Sequence, residues 1–199
     1  QYLRWVDAAD PPFLVVVDTG ELRNNRGIFE ARPGAVEVWR KTGDPLEPDK
    51  TIVELAPPDG TRIAGPGYPA ISATGNRAYL ASGTAPVLFE LDLDAGQWLR
   101  GPQNPITLYE TNANAAHHVD MGPDGILWVT AFNREQLFLV DTSCNEVLGG
   151  PYDIAASETL SAGPYGIEVV GRADGVVGFY IGSLANALGR IELTNHGER

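Results

Sequence analysis

His117-His118-Val119-Asp120-Met121-Gly122-Pro123-Asp124-Gly125-Ile126-Leu127-Trp128-Val129 reads as a short strand, a tight turn and a second, more apolar strand. Asp-Gly between two β-rich runs is a strong hairpin signal, because Gly supplies the positive φ that such turns require. The same pattern lies upstream from Tyr68 to Leu80, with Gly75-Asn76 at the turn, and downstream from Tyr165 to Val177, with Asp174-Gly175. Ile71, Val119 and Ile167 follow one another at a step of about 48 positions, close to the ~40 to 50 residue period of propeller blades.

Working outward, each hairpin is followed by a third strand with alternating residues: Val87 to Asp92, Gln136 to Asp141, and Leu188 to Leu193. Weaker fourth strands follow at Gln97 to Arg100 and Asn145 to Leu148. A looser copy opens the chain, with strands at Tyr2 to Val6, Phe13 to Asp18, Ala35 to Arg40 and Thr51 to Leu55. Four antiparallel strands make a propeller blade, so the fold class is an all-β propeller of about four blades, approximately 1–60, 61–108, 109–158 and 159–199, in a single domain. Two architectures follow, a C-terminal arc of a larger ring or a small closed ring. The units supply four, four, four and three strands. The last blade is expected to lack an outer strand, which leaves an edge that recruits another chain.

Composition supports this reading. The 199 residues are 43% hydrophobic, with Gly 23 and Pro 15 spread along the chain, which suits many short elements joined by turns. Fourteen basic against 26 acidic residues give a net charge of -12, so phosphate backbones and anionic headgroups are repelled. Nucleic acid is therefore not expected as a partner, and no run approaches the ~20 apolar residues of a membrane span. The chain opens at Gln1 rather than Met, which suits either removal of a leader or an origin in a longer protein. One cysteine, Cys144, excludes an internal disulfide and a cysteine-based zinc cluster.

Pro164-Tyr165-Gly166-Ile167 and Gly122-Pro123-Asp124-Gly125-Ile126-Leu127-Trp128-Val129-Thr130 resemble the repeat of the streptogramin (virginiamycin B) lyases, and more broadly the extracellular NHL, YVTN and SMP-30 propellers. The resemblance covers the three later units and implies an extracellular or periplasmic location. It also implies a His in the Pro-His-Gly-Ile slot and a Mg2+-binding Glu after a Trp-Phe-Thr stretch. In this chain the first slot holds His117 in one blade and Tyr165 in the next, and Ala131 stands where the Glu would follow Trp128-Val129-Thr130. SMP-30-like enzymes would use Glu, Asn and Asp for a divalent metal, and Glu110, Asn112 and Asn114 lie in a suitable loop, although the Arg-Pro-Asn-Asp-Gly pattern is absent.

Glu110 to Asp120 is the densest polar cluster, leading into an inner strand. His117 is its candidate catalytic residue, and Glu110, Asn112 and His117 are its candidate ligands for a divalent metal, Mg or Ca. Adjacent strand residues point to opposite faces, so His117 and His118 can share one side only across a bulge. Asp92, Asp141 and Glu192 are expected to cap hairpins, and Tyr79, Phe89, Trp128 and Phe138 to pack between blades. The polar excursion Glu21 to Glu30 interrupts the first unit and is expected to carry a contact surface. Without a complete catalytic constellation, the sequence reads as a non-catalytic binding or assembly platform with no cofactor, whose partner is another protein or further blades of its own. The alternative is a metal-dependent lyase or hydrolase centred on His117.

Overall fold

The computed structural model describes residues 2–7, 12–18, 21–23, 29–31, 34–40, 49–55, 66–83, 85–109, 116–131, 136–154, 164–173, 175–182 and 187–194, all in strands and the turns joining them. Blade 1 is a sheet of β1 (Tyr2–Val6), β2 (Phe13–Asp18), β5 (Gly34–Arg40) and β6 (Asp49–Leu55), in that spatial order. Between its second and third strands the chain makes a separate hairpin, β3 (Glu21–Arg23) on β4 (Phe29–Ala31), so the polar excursion is itself β-structured at its base. Its tip, from 24 to 28, lies outside the described residues.

Blade 2 comprises β7 (Pro66–Ile71), β8 (Arg77–Ser82), β9 (Val87–Asp92) and β10 (Gln97–Arg100), and the short β11 (Ile106–Thr107) continues the outer edge along β9. Blade 3 is β12 (Ala116–Met121), β13 (Ile126–Ala131), β14 (Gln136–Asp141) and β15 (Glu146–Asp153). Blade 4 has three strands, β16 (Pro164–Arg172), β17 (Gly175–Gly182) and β18 (Ala187–Thr194). Each consecutive pair within a blade is antiparallel, and among the described residues β18 pairs on one side only.

Turn chemistry accounts for the strand ends. Gly125 sits at φ +80, a conformation open to Gly and costly for other residues, while Asp124 Oδ1 accepts the Ile126 N–H. Asp92 Oδ1 accepts the N–H groups of Asp94 and Ala95, and Asp141 Oδ1 accepts that of Ser143, as expected of hairpin caps. Glu192 behaves otherwise: it lies inside β18 and pairs with Arg190 and Arg172, because that strand runs past it to Thr194. The fourth strand of blade 3 is likewise longer than the sequence suggests, since register shifts carry it past Gly150 and Pro151 to pair Tyr152 and Asp153 with Leu137 and Gln136.

The core is a series of blade-to-blade joints. Val15, Val17, Val36 and Val38 of blade 1 meet Ala78, Leu80, Phe89 and Leu91 of blade 2. The alternate residues of blade 2, Ala70, Tyr79, Ala81 and Leu88, meet Leu127, Val129, Phe138 and Val140 of blade 3. The alternate residues of blade 3, Trp128, Leu137 and Leu139, meet Ile167, Val169 and Tyr180 of blade 4. Strands buried on both faces read as unbroken apolar runs, which is why Ile126-Leu127-Trp128-Val129 and Leu137-Phe138-Leu139-Val140 show no polar alternation. Tyr79, Phe89, Trp128 and Phe138 are all fully buried, in agreement with the sequence reading.

At the third joint the Trp128 ring lies against Gly178, where an added Cβ would stand 2.7 Å from the ring. Deleting so large a buried side chain removes its apolar transfer and leaves a cavity. Trp128→Ala should therefore cost about 3–5 kcal/mol in a urea titration, and Gly178→Val should destabilise the same joint by overpacking.

Candidate functional site

The four blades turn their first strands, β1, β7, β12 and β16, toward one another. Bulges mark three of them near their starts: register shifts fall between Pro66 and Pro69, between Ala116 and His118, and between Pro164 and Gly166. In β12 the extra residue is His117, and the bulge does what a flat strand forbids. The His117 and His118 rings lie near parallel, with centroids 6.0 Å apart. Close backbone packing supports the site, for a Cβ on Gly67 would run into the His117 carbonyl.

Around His118 the inner strands contribute a polar and aromatic cluster. The Tyr68 ring stacks on His118 at 5.2 Å with an interplanar angle of 12°, and Tyr2 meets both rings edge-on at 5.9 and 6.2 Å. The Arg4 guanidinium lies 5.7 Å from the Tyr68 centroid and 4.0 Å from Asp120 Oδ1, which ties blade 1 to blade 3 across blade 2. Asp120 in turn accepts the Val169 N–H at 2.7 Å from blade 4. One carboxylate thus serves three blades.

Burial sets the protonation of this cluster. It pushes the His118 imidazole down to about 4, and the neighbouring His117 adds to the shift. Burial also pushes the Asp120 carboxyl above its ordinary range, against the Val169 N–H, which stabilises the anion. At neutral pH the cluster therefore presents a neutral imidazole whose Nδ1 is buried without a hydrogen-bond partner, beside an Arg–Asp pair.

His117 is thus the one candidate site residue the structure describes. Glu110 and Asn112, its candidate co-ligands, and Asn114 lie outside the described residues. Among the described residues no three His, Cys, Asp or Glu side chains converge on a common point. Asp120 closes the polar stretch Glu110 to Asp120, whereas Arg4, Tyr2 and Tyr68 joined the cluster unannounced by local motifs. Their juxtaposition arises from contacts between blades, and only the repeated step of inner strands could have pointed to it. Cys144 is an exposed thiol in the β14–β15 turn.

No family model matches the chain, and no curated protein does either. Solved structures do. The chain is similar to the WD40 repeats of RRP9 over 98% of its own length and 55% of that chain, at TM-score 0.57 and 9% identity. It is similar to virginiamycin B lyase from Staphylococcus aureus over 96% of its length and 69% of that chain, at TM-score 0.56 and 13% identity. It also resembles PorZ, a bacterial surface component of the type-IX secretion system of Porphyromonas gingivalis, over 98% of its length and 26% of that chain, at TM-score 0.58 and 14% identity. These likenesses establish the class, a β-propeller built of antiparallel blades. The chain spans about half the length of the RRP9 repeats. Among the described residues no helix is long and apolar enough to cross a membrane.

A histidine whose folded pKa lies below its unfolded value binds fewer protons when folded, so its contribution is complete above the unfolded pKa of about 6.5 and is lost as pH falls toward 4. Asp120 works with the opposite sign above its own unfolded value, since its raised pKa favours the folded state on acidification. Comparing urea stability from pH 7 to pH 4 in the wild type and in His118→Gln isolates the histidine. The wild type should lose stability across that window more steeply than the variant.

Proposed function

We propose that this propeller is a non-catalytic binding and assembly platform, working outside the cell or in the periplasm, that takes up its partner by strand addition at blade 4. One observation carries the reading. The outer edge of β18 is unpaired among the described residues, and beside it an apolar groove of about 270 Å3 runs between β15 and β18, lined by Leu137, Tyr152, Ile154, Tyr180, Ile191 and Leu193. Every other blade fills the corresponding position with a fourth strand. An incoming strand would satisfy the free backbone groups and bury alternate side chains in the groove, which is the general logic of β-augmentation. Tyr152, exposed to 47%, stands at this margin. The likeness to PorZ, a bacterial surface component, is in keeping with an extracytoplasmic platform.

A second reading is favoured by the β12 bulge, which sets His117 and His118 side by side. A metal-dependent lyase or hydrolase would use His117 with Glu110 and Asn112 as ligands to Mg or Ca. Two experiments separate the readings. Alternating apolar peptides of about eight residues should slow amide exchange along β18, and Tyr152→Asp should weaken that protection at least tenfold; no protection by any peptide counts against the platform. Stoichiometric metal in the purified protein, lost in His117→Ala, would instead establish the metal site.

A further inference from the structure

Several glycines in the strands have a reason in packing or backbone geometry. A Cβ on Gly67 would collide with the His117 carbonyl, one on Gly178 with the Trp128 ring and one on Gly189 with the Tyr180 ring, while Gly150 stands at φ +110. Gly166 of β16 has neither reason. Its φ is not positive, and among the described residues an added Cβ would come within 4 Å of His118 Nε2 alone, at 3.9 Å, which is ordinary contact. The register shift beside it takes up Tyr165, so the bulge does not call for a glycine there either. A glycine weakens a strand, and one that neither turn, bulge nor packing requires marks a place where something approaches the backbone closely.

The surroundings of this recess are polar and within reach of water. Gly166 and His118 are half-buried, as are the Tyr68 ring stacked on His118 and the Tyr2 ring set across both. His118 Nδ1 is buried without a hydrogen-bond partner among the described residues. An orphaned N–H is costlier than an orphaned lone pair, so the imidazole hydrogen belongs on Nε2, the atom that borders the recess. Two residues beyond Gly166, on the same face of β16, the Glu168 side chain is exposed. Its charge reaches both Arg4 and Asp120, so the recess lies beside two carboxylates and one guanidinium. An anion is disfavoured at such a place.

We propose that the recess over Gly166 binds a neutral polyhydroxylated ligand with the chemistry of a monosaccharide. A hydroxyl both accepts and donates: one sugar oxygen takes the hydrogen of His118 Nε2, and a second hydroxyl donates to the Glu168 carboxylate. The missing side chain lets the ring settle on the β16 backbone. The proposal goes beyond the platform at β18, because it concerns the first strands of the blades and not the outer edge of blade 4.

The test uses the full chain with isotope-labelled histidine. Methyl glycosides of glucose, galactose, mannose and N-acetylglucosamine are titrated in to tens of millimolar while the His118 ring signal, assigned with His118→Gln, is followed by NMR. At least one glycoside should shift that signal saturably. Gly166→Leu, whose side chain fills the recess, should weaken the binding at least tenfold, and so should Glu168→Ala, which alters an exposed side chain. Gly166→Ala should leave the melting temperature unchanged or raise it, because its Cβ meets no obstacle. No saturable shift with any glycoside, binding indifferent to both substitutions, or tighter binding of methyl glucuronide than of methyl glucoside would overturn the proposal. So would a lower melting temperature in Gly166→Ala, since the protein's own chain would then occupy the recess. Peptide protection of β18 reads the platform separately, so either idea can fail while the other stands.

Discussion

Burial of the middle strands on both faces governs this molecule. A sheet of four short strands is too small to form a core on its own, so blades 2 and 3 each supply half of two joints, with alternate residues of one strand serving different neighbours. Tyr79 and Leu80 are adjacent in β8 yet belong to separate cores, as do Trp128 and Val129 in β13. Small residues accompany the bulky ones where backbones must approach, as at Gly178 under Trp128 and Gly189 under Tyr180.

Polar contacts settle the relative placement of blades that apolar faces alone would let slide. Arg40 donates to the Leu93 carbonyl at the first joint. Buried Glu90 accepts from Tyr79 within blade 2 and from Asn145 of blade 3 at 2.9 Å, and Arg77 closes over it. At the third joint the Tyr180 hydroxyl donates to the Ile154 carbonyl at 2.7 Å, and Asp120 takes the Val169 N–H. A buried acceptor left without its donor is costly, so each of these pairs favours one register over its neighbours. The cluster around His118 belongs in this company: its documented contacts join inner strands, and whatever else it does, it holds the axis together.

The strands were legible in the sequence wherever local chemistry ends them. Asp124-Gly125 and the capping Asp92 and Asp141 give turns whose geometry is set within a few residues, and third strands such as Val87–Asp92 and Gln136–Asp141 fall where the alternation places them. The three strands that blade 4 shows among the described residues were legible for the same reason, since Asp174-Gly175 marks the turn between the first two and the alternation places the third at Leu188 to Leu193. What local chemistry does not encode was harder to read. The bulge at His117 sits against the neighbouring β7 backbone, packed so closely that Gly67 admits no Cβ, a contact between distant segments. The β3–β4 hairpin hides in a polar stretch without hydrophobic alternation, and the axial meeting of Tyr2, Arg4, Tyr68 and Asp120 depends on residues more than sixty positions apart.

The three joints, each made by consecutive blades, give the molecule the thermodynamics of a short one-dimensional array. Its stability is approximately a sum of blade terms and nearest-neighbour couplings, with Arg4 to Asp120 and Tyr2 to His118 as longer-range links. In such an array a unit coupled on both sides melts after one coupled on one side, and blades 2 and 3 each have both couplings among the described residues. Gene duplication or loss of a terminal blade would leave the remaining couplings intact. The number of blades is thus a quantity that evolution can change one unit at a time, without redesigning the interior.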